Sequence, residues 1–160
     1  MGAPTLPLSF VRVCVAAEDR ELAKRLYRSI LVSEDHLVTG GILDLTLDGP
    51  ASWGLAMLAR FRGRESEARA HFEHAMSMAR KTAGRPVLTL IACEYADLLS
   101  KSDAPEDQAQ ALTLAREADR EAQAMGMHAA QGAARALIDA HEQTKPDDIA
   151  PSGEADVFTR

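Results

Sequence analysis

This chain of 160 residues has little of what covalent, metal or membrane chemistry needs, and each shortage excludes a class of function. Its two cysteines, Cys14 and Cys93, are far apart and each sits within an apolar helical pattern. They are therefore expected as buried thiols rather than as a disulfide or a metal pair. The apolar stretches are a few residues long, against the ~20 that a membrane-spanning helix requires. The opening MGAPTLPLSFVRVCVAAEDR has no basic start leading into an apolar run, and Leu6 stands where a myristoylation signal after Gly2 needs Ser or Thr. A cytoplasmic location is the expectation.

Nucleotide and nucleophile motifs are missing as well. There is no G-x4-G-K-[ST] loop; Gly63, in RFRGRESEA, precedes a helix but has neither the second glycine nor the lysine. Ser29, Ser33 and Ser77 have no G-x-S-x-G setting. Glu67, His71 and His74 are spaced to share one helix face, the arrangement a small metal-dependent hydrolase would use, but no H-E-x2-H order is present. His71 and His74 adjoin the apolar Phe72 and Ala75, so the edge of a packed stripe is their expected place, and no metal or other cofactor is expected. With a net charge of −6 and basic residues interspersed with acids, the chain offers no Lys/Arg cluster for a nucleic acid.

What the chain does have is helical periodicity. Residues 6–16 can form a first helix, and Glu18 and Asp19 supply acids at the start of a second reaching about Val32, with Leu22, Ala23, Leu26, Tyr27 and Ile30 as its buried stripe. Leu43, Leu45 and Leu47 alternate with Asp44 and Thr46 as a strand would. A lone strand among helices has no partner, so residues 33–49 are expected as a distorted helix or an ordered loop. Asp48-Gly49-Pro50 then opens a helix carrying Trp53, Leu55, Met57, Leu58 and Phe61, which Gly63 ends. The next helix runs from about Arg64 to Thr82, and Gly84 stops it. Pro86 begins another, with Leu88, Ile91, Tyr95 and Leu98 as its stripe. A polar loop over 101–107, a helix from about Gln108 to Met125 and a covering helix from about His128 to Glu142 complete the pattern. Trp53, Tyr95 and the methionines at helical spacing are expected to fill the core, because a small stack needs its few aromatics inside. Residues 1–143 thus form one helical domain, and 144–160 a polar linker or tail whose composition fits continuation into a further domain.

A short motif recurs within this pattern: Ala23, Tyr27, Ile30; then Ala68, Phe72, Ala75; then Ala111, Ala115, Ala118, the copies starting 45 and 43 residues apart. Helical-hairpin units repeat in this way, each leaving an apolar face for its neighbour. The run Leu55-Ala56-x2-Ala59-x3-Gly63-x4-Ala68-x3-Phe72-x2-Ala75 resembles a tetratricopeptide repeat. The period exceeds the family's usual ~34 residues, Ser52 and Ala56 stand where Trp and Gly are common, and Ala115 replaces a large residue. Units of this length, and the stretch GRPVLTLIACEYADLLSKSD, are similar to the repeat arms of large bacterial signalling proteins: ATPase regulators of LuxR type and class III cyclase proteins with an AAA-type ATPase. That resemblance implies an all-α solenoid of about three antiparallel helix hairpins with a C-terminal covering helix. It also implies a non-enzymatic interaction or sensor module of a signalling or transcriptional regulator, or else the regulatory arm of an ATPase or cyclase whose catalytic domains lie elsewhere. A partner protein, a peptide or a small effector is expected in the groove formed by the first helix of each hairpin, with Arg60, Glu94 and Asp97 as candidate contacts. Pairing of copies through terminal helices is a further expectation, since ~3 repeats is near the minimum for stability.

Overall fold

The computed structural model describes residues 7–40 and 46–144. Those residues are mostly helical: α1 (Leu8–Ala16), α2 (Arg20–Leu31), a two-stranded ribbon of β1 (Leu37–Gly40) and β2 (Thr46–Pro50), then α3 (Ala51–Phe61), α4 (Glu65–Met78), a π-helical turn (Ala79–Ala83), α5 (Gly84–Leu99), α6 (Pro105–Met125) and α7 (His128–Thr144). Leu6, Leu43, Leu45 and the expected tail from residue 145 onward lie outside the described residues.

Local chemistry accounts for the helix ends. The Asp19 carboxylate caps α2 by accepting from the Leu22 N–H at 2.8 Å. Gly63, Gly84 and Gly126 all take positive φ where a helix must stop or turn. α6 begins at Pro105 rather than near Gln108, so the polar loop is shorter than expected. Proline suits the first position of a helix, and Glu106 and Asp107 follow it at the positive end. Gln108 donates back to the Ser100 and Ser102 carbonyls at 2.9 and 2.6 Å, which orders the loop.

One expectation is corrected. Where a distorted helix or an ordered loop is expected over residues 33–49, the described residues there include a strand pair: β1 and β2 run antiparallel, Leu37 opposite Pro50 and Gly40 opposite Thr46. β1 is four residues long, too short for alternation to show in sequence. The register slips between Val38 and Thr39, whose partners are Gly49 and Leu47, so Asp48 is the extra residue of a bulge. Its carboxylate reaches the first N–H of α1, accepting from Leu8 at 3.3 Å.

One apolar cluster runs through the molecule. α3 lies deepest, with eight of its eleven residues buried. Each helix packs against the next in sequence, and in addition α1 lies on α3 and α5 on α7. The recurrent motif positions fall on α2, α4 and α6. Ala23, Ile30, Ala68, Phe72, Ala75, Ala111, Ala115 and Ala118 are all buried, and Tyr27 is half-buried. Phe72 stacks on Tyr95 with ring centroids 5.3 Å apart, which brings the second motif copy against α5. Small residues at these positions let helix backbones approach, and the large ones fill the space between them.

Candidate functional site

Two helices turn matching triplets toward one another. On α1 these are Arg12, Val15 and Ala16; on α3 they are Met57, Arg60 and Phe61, the same i, i+3, i+4 spacing that puts three side chains on one helix face. With Glu94 of α5 they line a cleft of about 490 Å³, within the size range of small-ligand sites. Its floor is apolar and its walls carry charge.

Glu94 is held from two sides. The Trp53 indole N–H donates to Oε2 at 2.7 Å, and the Arg12 guanidinium lies 3.1 Å from Oε1 while sitting 4.9 Å over the Trp53 ring, a cation–π arrangement. Arg60 spans from α3 to α5, donating to the Glu94 carbonyl at 3.5 Å and to the Asp97 carboxylate. Lys101 reaches the same Asp97 oxygen at 3.2 Å. Burial by itself pushes the Asp97 carboxyl up; the hydrogen bonds and charges of Arg60 and Lys101 outweigh it and hold the group below its ordinary value. Arg20 adds a further cation, its guanidinium 5.6 Å over the Phe61 ring. Arg12 and Arg60 each have five N–H donors, more than these partners engage.

Arg60, Glu94 and Asp97, the contacts expected from sequence, are thus brought together, but chiefly to pair with one another. Arg12 and Trp53 were not expected as part of this network. The spacing of Arg12, Val15 and Ala16 is the signal for Arg12; nothing local marks Trp53 as the donor to a carboxylate 41 residues away. No protein-family model matches the chain. No curated protein or solved structure matches it either. The chemistry of the cleft therefore rests on its own geometry.

The other polar cluster lies between α2 and α4. His71 is buried; its Nε2 is 2.8 Å from the Tyr27 hydroxyl and its Nδ1 2.7 Å from Glu34 Oε1. His74, one turn further, has Nε2 3.0 Å from Asp35 Oδ1, a close approach without hydrogen-bond alignment. Glu67 instead turns to Arg64 at 2.6 Å, which lowers its pKa. Glu67, His71 and His74 consequently do not converge, and among the described residues no three His, Cys, Asp or Glu side chains are grouped to hold a metal. Burial first, and then Glu67, raises the Tyr27 pKa, so the phenol stays protonated and serves as a clamp rather than a nucleophile. Cys14 and Cys93 are both buried free thiols; burial raises Cys14 and pushes Cys93 up to about 11, which leaves both unreactive.

Proposed function

We propose that this chain is a non-catalytic recognition module, a tetratricopeptide-like stack of three helix hairpins and a covering helix, serving a bacterial signalling regulator and taking a partner protein, peptide or small effector in the cleft between α1, α3 and α5. The observation that carries this reading is the cleft itself: an apolar floor of Val15, Ala16, Met57 and Phe61 between two guanidinium groups that α5 carboxylates hold in position. Fixed cations beside an apolar floor favour ligands that combine an apolar body with acceptor groups. Neighbour-to-neighbour helix packing, with the repeated motif facing inward on α2, α4 and α6, supports the stacked-hairpin part of the proposal.

Trp53 is the sole tryptophan and bonds to a residue of the cleft wall, so its emission reports on occupancy. Titrating peptides and small effectors against the full chain should identify ligands that shift that emission. Ala16→Arg, at an exposed position lining the cleft, should abolish the shift while helical circular dichroism is unchanged. A ligand whose affinity is the same for wild type and Ala16→Arg would place recognition elsewhere.

A further inference from the structure

Among the side chains that line the cleft between α1, α3 and α5, the unfilled hydrogen-bonding capacity is of one kind. Arg12 meets Glu94 through Nη2, which leaves its Nε and Nη1 without a partner among the described residues. Arg60 uses Nη1 on the Glu94 carbonyl and Nη2 on Asp97, and its Nε is left over. Glu94, the acid of the lining, has both oxygens engaged, Oε2 by the Trp53 indole and Oε1 by Arg12. Val15, Ala16, Met57 and Phe61 complete the lining and are apolar. The cleft therefore offers open donors beside an apolar floor, and its one acidic group is already in use.

Those donors are held in place before any ligand arrives. Arg12, Trp53 and Glu94 form a closed triangle: the guanidinium lies 4.9 Å over the indole ring, the indole N–H donates to Glu94, and Glu94 faces the guanidinium again. Arg60 is braced between α3 and α5, and Lys101 shares its Asp97 partner. Donors fixed in this way lose little freedom on binding. Arg12 precedes Val15 and Ala16 by one helical turn, so an acceptor seated at its guanidinium sets the rest of a ligand over apolar side chains. Net charge does not select the ligand, since Glu18 and Asp19 follow the end of α1; the open donors do.

Given the reading of the cleft as a recognition site, on which this rests, we infer that its ligand is a small organic acid, with the carboxylate on Arg12, Arg60 as a second donor, and the apolar body over Val15, Ala16, Met57 and Phe61. A carboxylate gains charge-assisted hydrogen bonds from guanidinium groups that an alcohol cannot match. An amine would have to displace Arg12 or Trp53 from Glu94, leaving a part-buried donor unpaired. A cleft of about 490 Å³ suits a free acid of this kind rather than a protein surface.

The test is titration of the full chain with octanoate and with phenylacetate, each beside the alcohol and the amine of the same carbon skeleton, read by Trp53 emission and by calorimetry. At least one acid should bind about tenfold or more tightly than its alcohol, and its amine should not bind. Arg12→Gln should remove that preference and leave the alcohol's affinity about as in wild type, which a lesion of packing alone would not do. The comparison of acid with alcohol is made on wild type, so it decides the matter even if the variant does not fold. Acid and alcohol binding alike, with both lost in Ala16→Arg, would overturn the carboxylate and leave the cleft as the recognition site. Failure of both acids to bind would overturn it too, and the peptide titrations above then judge the cleft separately. A preference that survives Arg12→Gln counts against the assignment, as does a peptide ending in leucine that binds more tightly than either acid, which would point to a chain terminus. Acid binding that Ala16→Arg leaves unaltered would sink both readings.

Discussion

The body of the molecule from α3 to α6 and its α1–α2 end are both helical, yet they are held in different ways. In the body, small residues alternate with large ones: Ala56, Ala59, Ala68, Ala75, Ala96 and Ala115 bring backbones close, while Leu55, Leu58, Phe72 and Tyr95 are almost wholly buried between them. The α1–α2 end buries fewer side chains and is fastened by directional contacts: Tyr27 to His71, His71 to Glu34, Arg12 to Glu94, and Asp48 to the start of α1. Close packing gives the body most of its stability because dispersion and burial sum over many contacts. Each polar contact adds little net energy but fixes an angle and a register. The lesson is that the interior stack and the cleft-forming helix can be perturbed separately.

Removing a large side chain from the body should have the greatest effect. Phe72→Ala leaves Tyr95 without its stacking partner and opens a cavity at a fully buried position, which should cost about 3–5 kcal/mol. The midpoint of urea unfolding measures it, and a loss below about 1 kcal/mol would mean that the body does not rest on close packing as argued.

The second effect tests the seam between α1 and α3. A Cβ at Gly54 would lie 2.9 Å from Leu8 Cδ2 and 3.5 Å from Val11 Cγ2. One methyl can be absorbed by the flexible end of Leu8, and Gly→Ala in a helix gains about 1 kcal/mol, so alanine should be near neutral. Gly54→Leu overfills the seam and should cost about 1–3 kcal/mol. Hydrogen exchange should then quicken in α1 and leave α4–α6 as in wild type; uniform loss of protection would join the two regions into one cooperative unit.

The polar clamp comes next. His71→Leu removes the partner of both Tyr27 and Glu34 and should cost about 1–2 kcal/mol, since Glu34 can turn to water. Exchange should rise over α2 and residues 33–40. An unchanged exchange pattern there would show the clamp to be idle.

The smallest effect concerns a charged tie that crosses the body from α4 to α6. Arg69 of α4 holds Asp107 of α6 through two hydrogen bonds of 2.6 Å. With Ser102 also donating, this keeps the Asp107 carboxyl down at about 2. A depressed carboxyl contributes stability that is present above its unfolded value of ~3.9 and is lost as pH falls through the folded value. Wild type should therefore lose stability more steeply than Asp107→Asn between pH ~4 and ~2. Asp97 and Glu67, also lowered, act equally in both proteins. Parallel profiles would show that the tie contributes nothing.

The structure also changes how the candidate contacts should be probed. Reversing Glu94 and Asp97 to lysine looks from sequence like a surface change in a groove. Glu94 in fact holds Trp53 and Arg12, and Asp97 holds Arg60 and Lys101, so that reversal would unpair the helices that form the cleft. Ala16, which bears no such partner role, is the cleaner position.

Helix spans were legible because they depend on neighbours three and four residues apart. Asp19 before α2, and Gly63 and Gly84 at turns, act within a few residues of where they stand; the start of α6 at Pro105 was missed by one turn because the polar residues around it read equally well as a loop. The inward motif positions followed from the same periodicity. What sequence alone could not determine were pairings across long separations: β1 with β2, Arg12 with Glu94, and Tyr27 with His71 at 44 residues. Many acids and bases along the chain would serve as partners equally well on chemistry alone. Only the packing of α1 and α2 on α3 brings particular ones within hydrogen-bond reach, because that choice depends on distances in space that periodicity does not encode.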